Sequence, residues 1–192
     1  MKKFHNKYRI PSARAPWWDY GKDGVYFITI CTKGRECCFG DVVDSEMQLS
    51  HVGLLADVFW YEIKNHAKNI TLDAFQVMPN HIHGILILNG NEQEINDPVE
   101  TTHALSLQSS PGSKRFQHQG SNTISSIIGS YKSAVTKHAH RLGYGHEWQE
   151  RFHDIIIRDE ESYIKIVNYI KNNPAKWEED KFNPSKNETG LP

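Results

Sequence analysis

The chain has 192 residues, of which 38% are hydrophobic and 23% are charged, and its formal net charge is −1. This composition is typical of an ordinary globular protein, and the length favours one domain with a sizeable core. No apolar run approaches the roughly 18 residues that a membrane-spanning helix needs, and the balanced charge argues against an overall basic nucleic-acid-binding protein. The N-terminus has no apolar signal region and the three cysteines lack a metal-type spacing, so we expect reduced thiols and a cytoplasmic location.

The first half of the chain predicts a basic arm followed by alternating strands and one helix. Residues 1–24 are interpreted as an extended arm that ends in the aromatic stretch Trp17-Trp18-Asp19-Tyr20, whose rings either pack on the core or stack on bases. The patterns that follow predict a strand over residues 25–32, a hairpin over 39–49, a helix from 51 to 67 capped by Ser50, and a strand over 70–78.

The next predicted strand begins with His81-Ile82-His83 and continues as an apolar run to Leu88. Because alternate side chains of a strand share a face, His81 and His83 stand side by side and Ile82 points the other way. Two imidazoles on a rigid element make a natural metal-binding pair, although they could also be ordinary histidines of a sheet edge.

The second half of the chain predicts two more helices and a last strand. Residues 90–122 are polar and are predicted to form a long mobile loop. Helical spacing over residues 124–142, a strand over 153–158 and a helix that breaks before Pro174 follow. We therefore expect one domain over residues 25–175 with a mainly antiparallel sheet and helices packed on one face, an α+β fold, and a charged, poorly ordered tail over 176–192.

Tyr169 and Asn173 are spaced four apart on the last helix and so share a face. Taken alone, Tyr169 could be a boundary residue and Asn173 a helix terminator. Together with the histidine pair they predict a different role. A tyrosine hydroxyl beside a divalent metal can attack a phosphodiester and form a covalent intermediate.

At this point the sequence resembles the single-tyrosine transposases that carry a His-hydrophobic-His motif, and most closely the REP-associated tyrosine transposases. The resemblance covers roughly residues 15–180. It rests on several stretches: Trp18-Asp19-Tyr20, Tyr26-Phe27-Ile28-Thr29-Ile30-Cys31-Thr32, Val77-Met78-Pro79-Asn80-His81-Ile82-His83-Gly84, Ile127-Ile128-Gly129-Ser130-Tyr131-Lys132-Ser133, Trp148-Gln149 with Phe152, Ile156-Ile157-Arg158-Asp159-Glu160 and Tyr169-Ile170-Lys171-Asn172-Asn173-Pro174.

The resemblance implies a ferredoxin-like sheet with the histidine pair on a central strand. It implies that Tyr169 cleaves single-stranded DNA near a hairpin, becomes linked to the 5′ phosphate and releases a 3′ hydroxyl. It also implies that His81 and His83 bind Mg²⁺ or Mn²⁺ with Asn173 as a third ligand. Relatives differ in whether the catalytic helix serves its own site or a partner's, so a monomer and a homodimer both stay open.

The expected partner is thus single-stranded DNA with a hairpin, in a nucleoid-associated protein of the cytoplasm. The predicted DNA contacts are basic residues of the arm, the second helix and the ends of the last strand: Arg14, Lys132, Lys137, Arg151 and Arg158. The main alternative is a protein of the same fold that binds DNA hairpins without cutting them. A replication initiator or relaxase is disfavoured because the chain leaves no room for further domains, and a two-motif phosphodiesterase because there is only one histidine motif.

Overall fold

The structure is a computed structural model that describes residues 23–89 and 123–186, together with two short strands near the N-terminus. These strands, β1 (Lys3–Phe4) and β2 (Lys7–Tyr8), pair in antiparallel fashion. Apart from these strands, residues 1–22 of the predicted arm, which include Arg14, and the predicted loop over 90–122 lie outside the described residues.

The predicted helices and strands within the described residues are confirmed, with ends that shift by one or two residues. In chain order they are β3 (Gly24–Cys31), β4 (Gly40–Val43), β5 (Glu46–Leu49), α1 (His51–His66), β6 (Ile70–Met78), β7 (His81–Leu88), α2 (Ile124–Arg141), β8 (His153–Ile157) and α3 (Glu160–Asn172). No helix among the described residues is long and apolar enough to cross a membrane.

Side-chain caps fix where the helices begin. The hydroxyls of Ser50 and Thr123 accept hydrogen bonds from backbone N–H groups in the first turns of α1 and α2, and the carboxylate of Asp159 does the same for α3. Each cap satisfies a donor that the helix itself leaves unpaired. The short β4–β5 hairpin turns through Asp44 and Ser45, both of which have positive φ angles, as a two-residue hairpin turn requires.

The main sheet has four antiparallel strands in the order β6-β7-β3-β8. With α1 between β3 and β6, and α2 between β7 and β8, this is the βαββαβ arrangement of a ferredoxin-like fold, as predicted. β7, which carries the histidine pair, is a central strand. α1 and α2 cover one face of the sheet, where the largest buried cluster includes Tyr26, Trp60 and Tyr131.

The third helix differs from the prediction that the helices pack on one face. α3 lies against the opposite face, where Ile170 packs with Phe27, Ile85 and Ile157 in a second buried cluster. The physical reason is the pattern of β3 and β7, which are apolar on both faces and so require cover on both sides. The sheet therefore lies between α1 and α2 on one face and α3 on the other.

Gly84 on β7 lets α1 approach the sheet closely. A Cβ atom built at this position would lie 2.3 Å from Cζ2 of Trp60, whose indole is fully buried. Trp60 also stacks on Phe75 of β6, with ring centroids 4.5 Å apart. Only glycine leaves room for this packing directly beside His83.

The C-terminal segment differs from the predicted poorly ordered tail as far as the structure describes it. Two 3₁₀ helices, Pro174–Glu179 and Pro184–Lys186, follow α3. Between them, the carbonyl of Phe182 accepts a hydrogen bond from Asn80, and Asn183 is buried. The prolines limit the helices to short lengths, but these contacts hold the segment against the sheet.

Candidate active site

The histidine pair lies on the face of the sheet that α3 covers. His81 and His83 are both buried, and their ring centroids are 4.5 Å apart. Ile82 points into the core beneath α1 and α2, which confirms the predicted alternation. α3 brings Tyr169 to the pair, with its ring centroid 5.2 Å from that of His83. Beside them a cleft of about 1040 Å³ opens between β8, α3 and the C-terminal segment.

Asn80 fixes the orientation of His81. The Asn80 Nδ2 donates to the carbonyls of Arg35 (3.1 Å) and Phe182 (2.7 Å), so its Oδ1 faces Nδ1 of His81 at 2.9 Å. An amide oxygen only accepts hydrogen bonds, so Nδ1 of His81 carries the proton. The Nε2 of His81 then holds a lone pair, and this buried atom has no hydrogen-bond partner among the described residues.

His83 is held in a similar way by the neighbouring strand. The antiparallel register places Thr29 of β3 directly opposite His83, and Thr29 Oγ1 lies 3.0 Å from Nδ1 of the imidazole. On the other side of the ring, Nε2 lies 3.2 Å from the hydroxyl oxygen of Tyr169. A partner that fixes one ring nitrogen is typical of metal-binding histidines, and Thr29 fixes Nδ1 of His83 in this way.

Burial keeps both imidazoles neutral. It is the main cause that lowers the pKa of His83 to about 3, and the positive charge of Lys181 acts in the same direction. Burial also lowers the pKa of His81 well below its usual value, followed by the effects of His83, Arg35 and Lys181. At neutral pH both rings therefore present lone pairs rather than positive charges.

Tyr169 and Asn173 complete the site from α3. The Tyr169 side chain is 41% exposed and lines the cleft, whereas Asn173 at the C-cap of the helix is only 2% exposed. Burial and the negative charge of Asp180 raise the pKa of Tyr169, and the Asn173 amide acts in the opposite direction. The Oδ1 atom of Asn173 is buried and has no hydrogen-bond partner in the described part of the chain.

These residues fit a divalent cation. The Nε2 atoms of His81 and His83 and the Oδ1 atom of Asn173 are neutral ligand atoms, and two of the three have no hydrogen-bond partner among the described residues. Imidazole nitrogen and amide oxygen are accepted by several divalent metals, including Mn²⁺. Within residues 23–89 and 123–186, no group of three or more His, Cys, Asp or Glu side chains is arranged for a metal ion, so Asn173 is the candidate for a third ligand beside the two histidines.

The predicted DNA-binding residues do not gather at this cleft. Lys132 and Lys137 line a separate cleft of about 840 Å³ along α2. The ammonium of Lys132 donates to the carbonyls of Gln149 (2.6 Å) and Glu150 (3.2 Å), so it is used within the protein. Arg151 and Arg158 are exposed at the two ends of β8, and Arg14 is not described.

Sequence reasoning missed the residues that orient the histidines. Asn80 reads as a turn residue after proline, and Thr29 is one of several β-branched residues in its strand. The role of Asn80 could have been predicted from the sequence, since this residue directly precedes His81. The role of Thr29 depends on the pairing of strands 54 residues apart, which no local pattern encodes.

Comparisons with known proteins support the same fold. No family model matches the chain. A protein of Haemophilus influenzae whose function is uncharacterised is 37% identical over 172 residues, which cover 89% of this chain and 91% of that protein. The solved structure of a REP-associated tyrosine transposase bound to a REP hairpin superposes with a TM-score of 0.55 at 20% identity, over 87% of this chain and 74% of that one. The chain therefore belongs to the same family as the Haemophilus influenzae protein, and it has the fold of the REP-associated tyrosine transposase.

Proposed function

We propose that the protein is a DNA transposase that cleaves and rejoins single-stranded DNA near hairpins, with Tyr169 as the nucleophile. The observation that carries this proposal is the Tyr169 hydroxyl, 3.2 Å from Nε2 of His83 at the edge of an open cleft. Packing alone would not require the hydroxyl oxygen of Tyr169 to point at a buried pair of neutral imidazoles. The fold shared with a transposase supports the same reaction class.

In the proposed reaction, the Tyr169 oxygen bonds to phosphorus while the bond from phosphorus to the 3′ oxygen breaks. The DNA is then linked to Tyr169 through its 5′ phosphate, and the net proton lost by the hydroxyl ends on the released 3′ hydroxyl. Attack by that 3′ hydroxyl on the phosphotyrosine reverses the step and joins strands. The raised pKa of Tyr169 means that the free protein holds the nucleophile in its protonated form, so the reaction requires activation.

His81, His83 and Asn173 would hold Mg²⁺ or Mn²⁺ for this activation. When bound, a divalent cation polarises the phosphodiester and stabilises negative charge as the bond breaks. The chain's own residues orient the donors, because Asn80 and Thr29 each fix one imidazole. The histidines need not lose protons first, since both are already neutral at pH 7.

We propose hairpin-bearing single-stranded DNA as the partner, at the nucleoid in the cytoplasm. The solved structure with this fold was bound to a REP hairpin. α3 packs on the sheet of its own chain, which supports a site assembled within one protomer rather than shared in a homodimer. Among the predicted contacts, we retain Arg14, Lys137, Arg151 and Arg158 for the phosphate backbone. Lys132 is a weaker choice because its ammonium already binds two carbonyls.

A cleavage assay tests the proposal. Single-stranded oligonucleotides carrying imperfect hairpins from the flanks of the gene are incubated with Mg²⁺, Mn²⁺ or a chelator, and the products are resolved on a denaturing protein gel. We expect a protein–DNA adduct that needs metal and is lost in Tyr169→Phe and in His81→Ala.

A matched tyrosine variant controls for folding and binding. Tyr144→Phe removes a hydroxyl from another partly exposed tyrosine outside the cleft and should leave the adduct unchanged. Hairpin binding with no adduct in any metal would instead support the alternative of a non-cleaving hairpin-binding protein. Equal loss of binding and adduct in Tyr169→Phe would mean that Tyr169 is structural.

A further inference from the structure

Two cations flank one aromatic ring beside the histidine pair. The guanidinium carbon of Arg35 lies 3.7 Å from the ring centroid of Phe182, and the Lys181 Nζ lies 4.8 Å from it. The same ring packs on His81, with centroids 4.7 Å apart. Lys181 and Phe182 line the cleft that contains Tyr169, whereas Arg35 lies on the side of His81. A path of contacts thus runs from Tyr169 across the histidines to Arg35.

Neither cation forms an ion pair with another residue in the described part of the chain. Among the residues that the structure describes, no carboxylate lies within 4.0 Å of Arg35 or Lys181, although pairs such as Lys33–Glu147 and Lys165–Glu161 form elsewhere. In addition, the Nη1 atom of Arg35 is buried and has no hydrogen-bond partner in the described part of the chain. A buried donor on a charged group is costly to leave unpaired unless a ligand takes it up.

The backbone also holds Arg35 in an unusual conformation. Its φ angle is 62°, a left-handed value that is uncommon for residues other than glycine, and it follows Gly34 with a φ angle of 64°. Such conformations tend to occur at functional sites. The Arg35 carbonyl accepts a hydrogen bond from Asn80, the residue that orients His81. The loop that presents the guanidinium is therefore tied directly to the metal-binding side of the site.

We propose that Arg35 is a phosphate-binding residue of this site, which takes a phosphodiester of the cleaved strand within one nucleotide of the scissile phosphate, with Lys181 adding positive charge on the cleft side. This inference rests on the proposed function. The guanidinium presents a planar set of N–H donors that suits phosphate oxygens better than an ammonium does. It would anchor the strand where it passes the histidine pair and so hold the scissile bond in front of Tyr169.

A scan with neutral phosphate analogues tests Arg35. Binding is measured in the Tyr169→Phe background, which leaves the strand uncut, using a hairpin oligonucleotide with one methylphosphonate at each position of its single-stranded flank in turn. Arg35→Gln, Arg35→Lys and a control, Lys171→Gln, are added to this background. Lys171 is exposed on α3 and does not line the cleft, so the control removes one charge of the same sign elsewhere.

We expect one methylphosphonate, within a nucleotide of the cut made by the wild-type protein, to weaken binding about tenfold. Arg35→Gln should weaken the binding of unmodified DNA by a similar factor. The methylphosphonate at that position should then not weaken the binding of the Arg35→Gln variant any further. In Arg35→Lys, the effect of this methylphosphonate should lie between the effect with Arg35 and the effect in Arg35→Gln. In Lys171→Gln, the methylphosphonate should still weaken binding about tenfold. If every methylphosphonate weakens the binding of the Arg35→Gln variant by the same factor as it weakens the binding of the protein with Arg35, then Arg35 does not bind phosphate.

The two proposals fail separately in this design. A wild-type protein that forms no adduct refutes the cleavage proposal and leaves no cut from which to count positions. The binding scan still tests Arg35 in that case, because it asks whether the loss from Arg35→Gln and the loss from one methylphosphonate are the same loss, and this requires no cutting. Thermal unfolding of each variant shows whether it is folded. If Arg35→Gln is unfolded, the comparison of Arg35→Lys with Lys171→Gln decides, because lysine keeps the charge but not the planar donors. An unchanged methylphosphonate effect in Arg35→Lys would then overturn the inference.

Discussion

Replacing Thr29 by valine removes the hydroxyl beside His83 while nearly keeping the shape of the side chain. Thr29 is 6% exposed, and its Oγ1 lies 3.0 Å from Nδ1 of the imidazole. The substitution leaves Nδ1 without this partner but opens no large cavity. We expect a loss of about 1 kcal/mol in the free energy of unfolding, the usual net value of one neutral hydrogen bond. For a chain of this size this is a fall of roughly 2–4 °C in melting temperature.

The larger effect of Thr29→Val should be on metal binding. A residue that orients a metal-bound imidazole typically contributes about 10- to 100-fold in metal affinity. Because the hydroxyl fixes the ring of His83, we expect Kd for Mn²⁺ to rise by about this factor. Isothermal titration of the purified protein measures Kd, and thermal unfolding in chelator measures the change in stability separately.

Thr71→Val provides a matched control on β6. The Thr71 hydroxyl also has a hydrogen-bond partner, since it accepts from Asn89 at 3.2 Å, but it lies on the surface and away from the cleft. The Kd of the Thr71→Val variant for Mn²⁺ should equal that of the wild-type protein. A Thr29→Val protein that binds Mn²⁺ as tightly as the wild type, with the same loss of stability, would refute the claim that Thr29 orients a metal ligand.

Three further predictions concern other parts of the fold. Gly84→Ala should lower the free energy of unfolding by about 1–3 kcal/mol, because its Cβ would lie 2.3 Å from Trp60, and adding Trp60→Phe should recover part of the loss in urea denaturation. Burial lowers the pKa of His146 from 6.5 to about 4, so the unfolded chain binds a proton in this range and the folded protein does not. The free energy of unfolding should therefore fall as the pH falls through this range, and His146→Gln should lower the slope by about 1.4 kcal/mol per pH unit in urea titrations. Tyr163→Phe removes the hydrogen bond from α3 to Asp73 on β6, so we expect slower single-turnover adduct formation and an unchanged Kd for the hairpin.

The local part of the site could be predicted from the sequence because it depends on periodicity alone. Residues two apart on a strand must share a face, and residues four apart on a helix must do so as well. The placement of His81 with His83, and of Tyr169 near Asn173, follows from these rules once the elements are assigned. The same reasoning separates His138 from His140 on α2, where one contacts Phe59 and the other contacts the backbone of His146.

The remaining features depend on long-range contacts that no local pattern encodes. The apolar pattern of β3 and β7 indicates that both faces of the sheet need cover, but only the packing of Ile170 shows that α3 covers the second face. The contact of Thr29 with His83 depends on the register of the two strands. Phe182 lies in a stretch of charged and helix-breaking residues that predicts a loose tail, yet its ring packs on His81. The sequence suggests that Lys132 contacts DNA, but in the structure its ammonium donates hydrogen bonds to two backbone carbonyls.

The central claim is that Tyr169 forms a covalent bond to DNA. The most direct measurement is peptide mass spectrometry of the wild-type protein after incubation with hairpin DNA and Mn²⁺ and digestion with nuclease and protease. We predict that the peptide containing Tyr169 carries the mass of a nucleotide joined through its phosphate, and that chelator abolishes this product. A nucleotide on another residue, or an unmodified Tyr169 peptide under conditions in which the hairpin is bound and metal is present, would contradict the account.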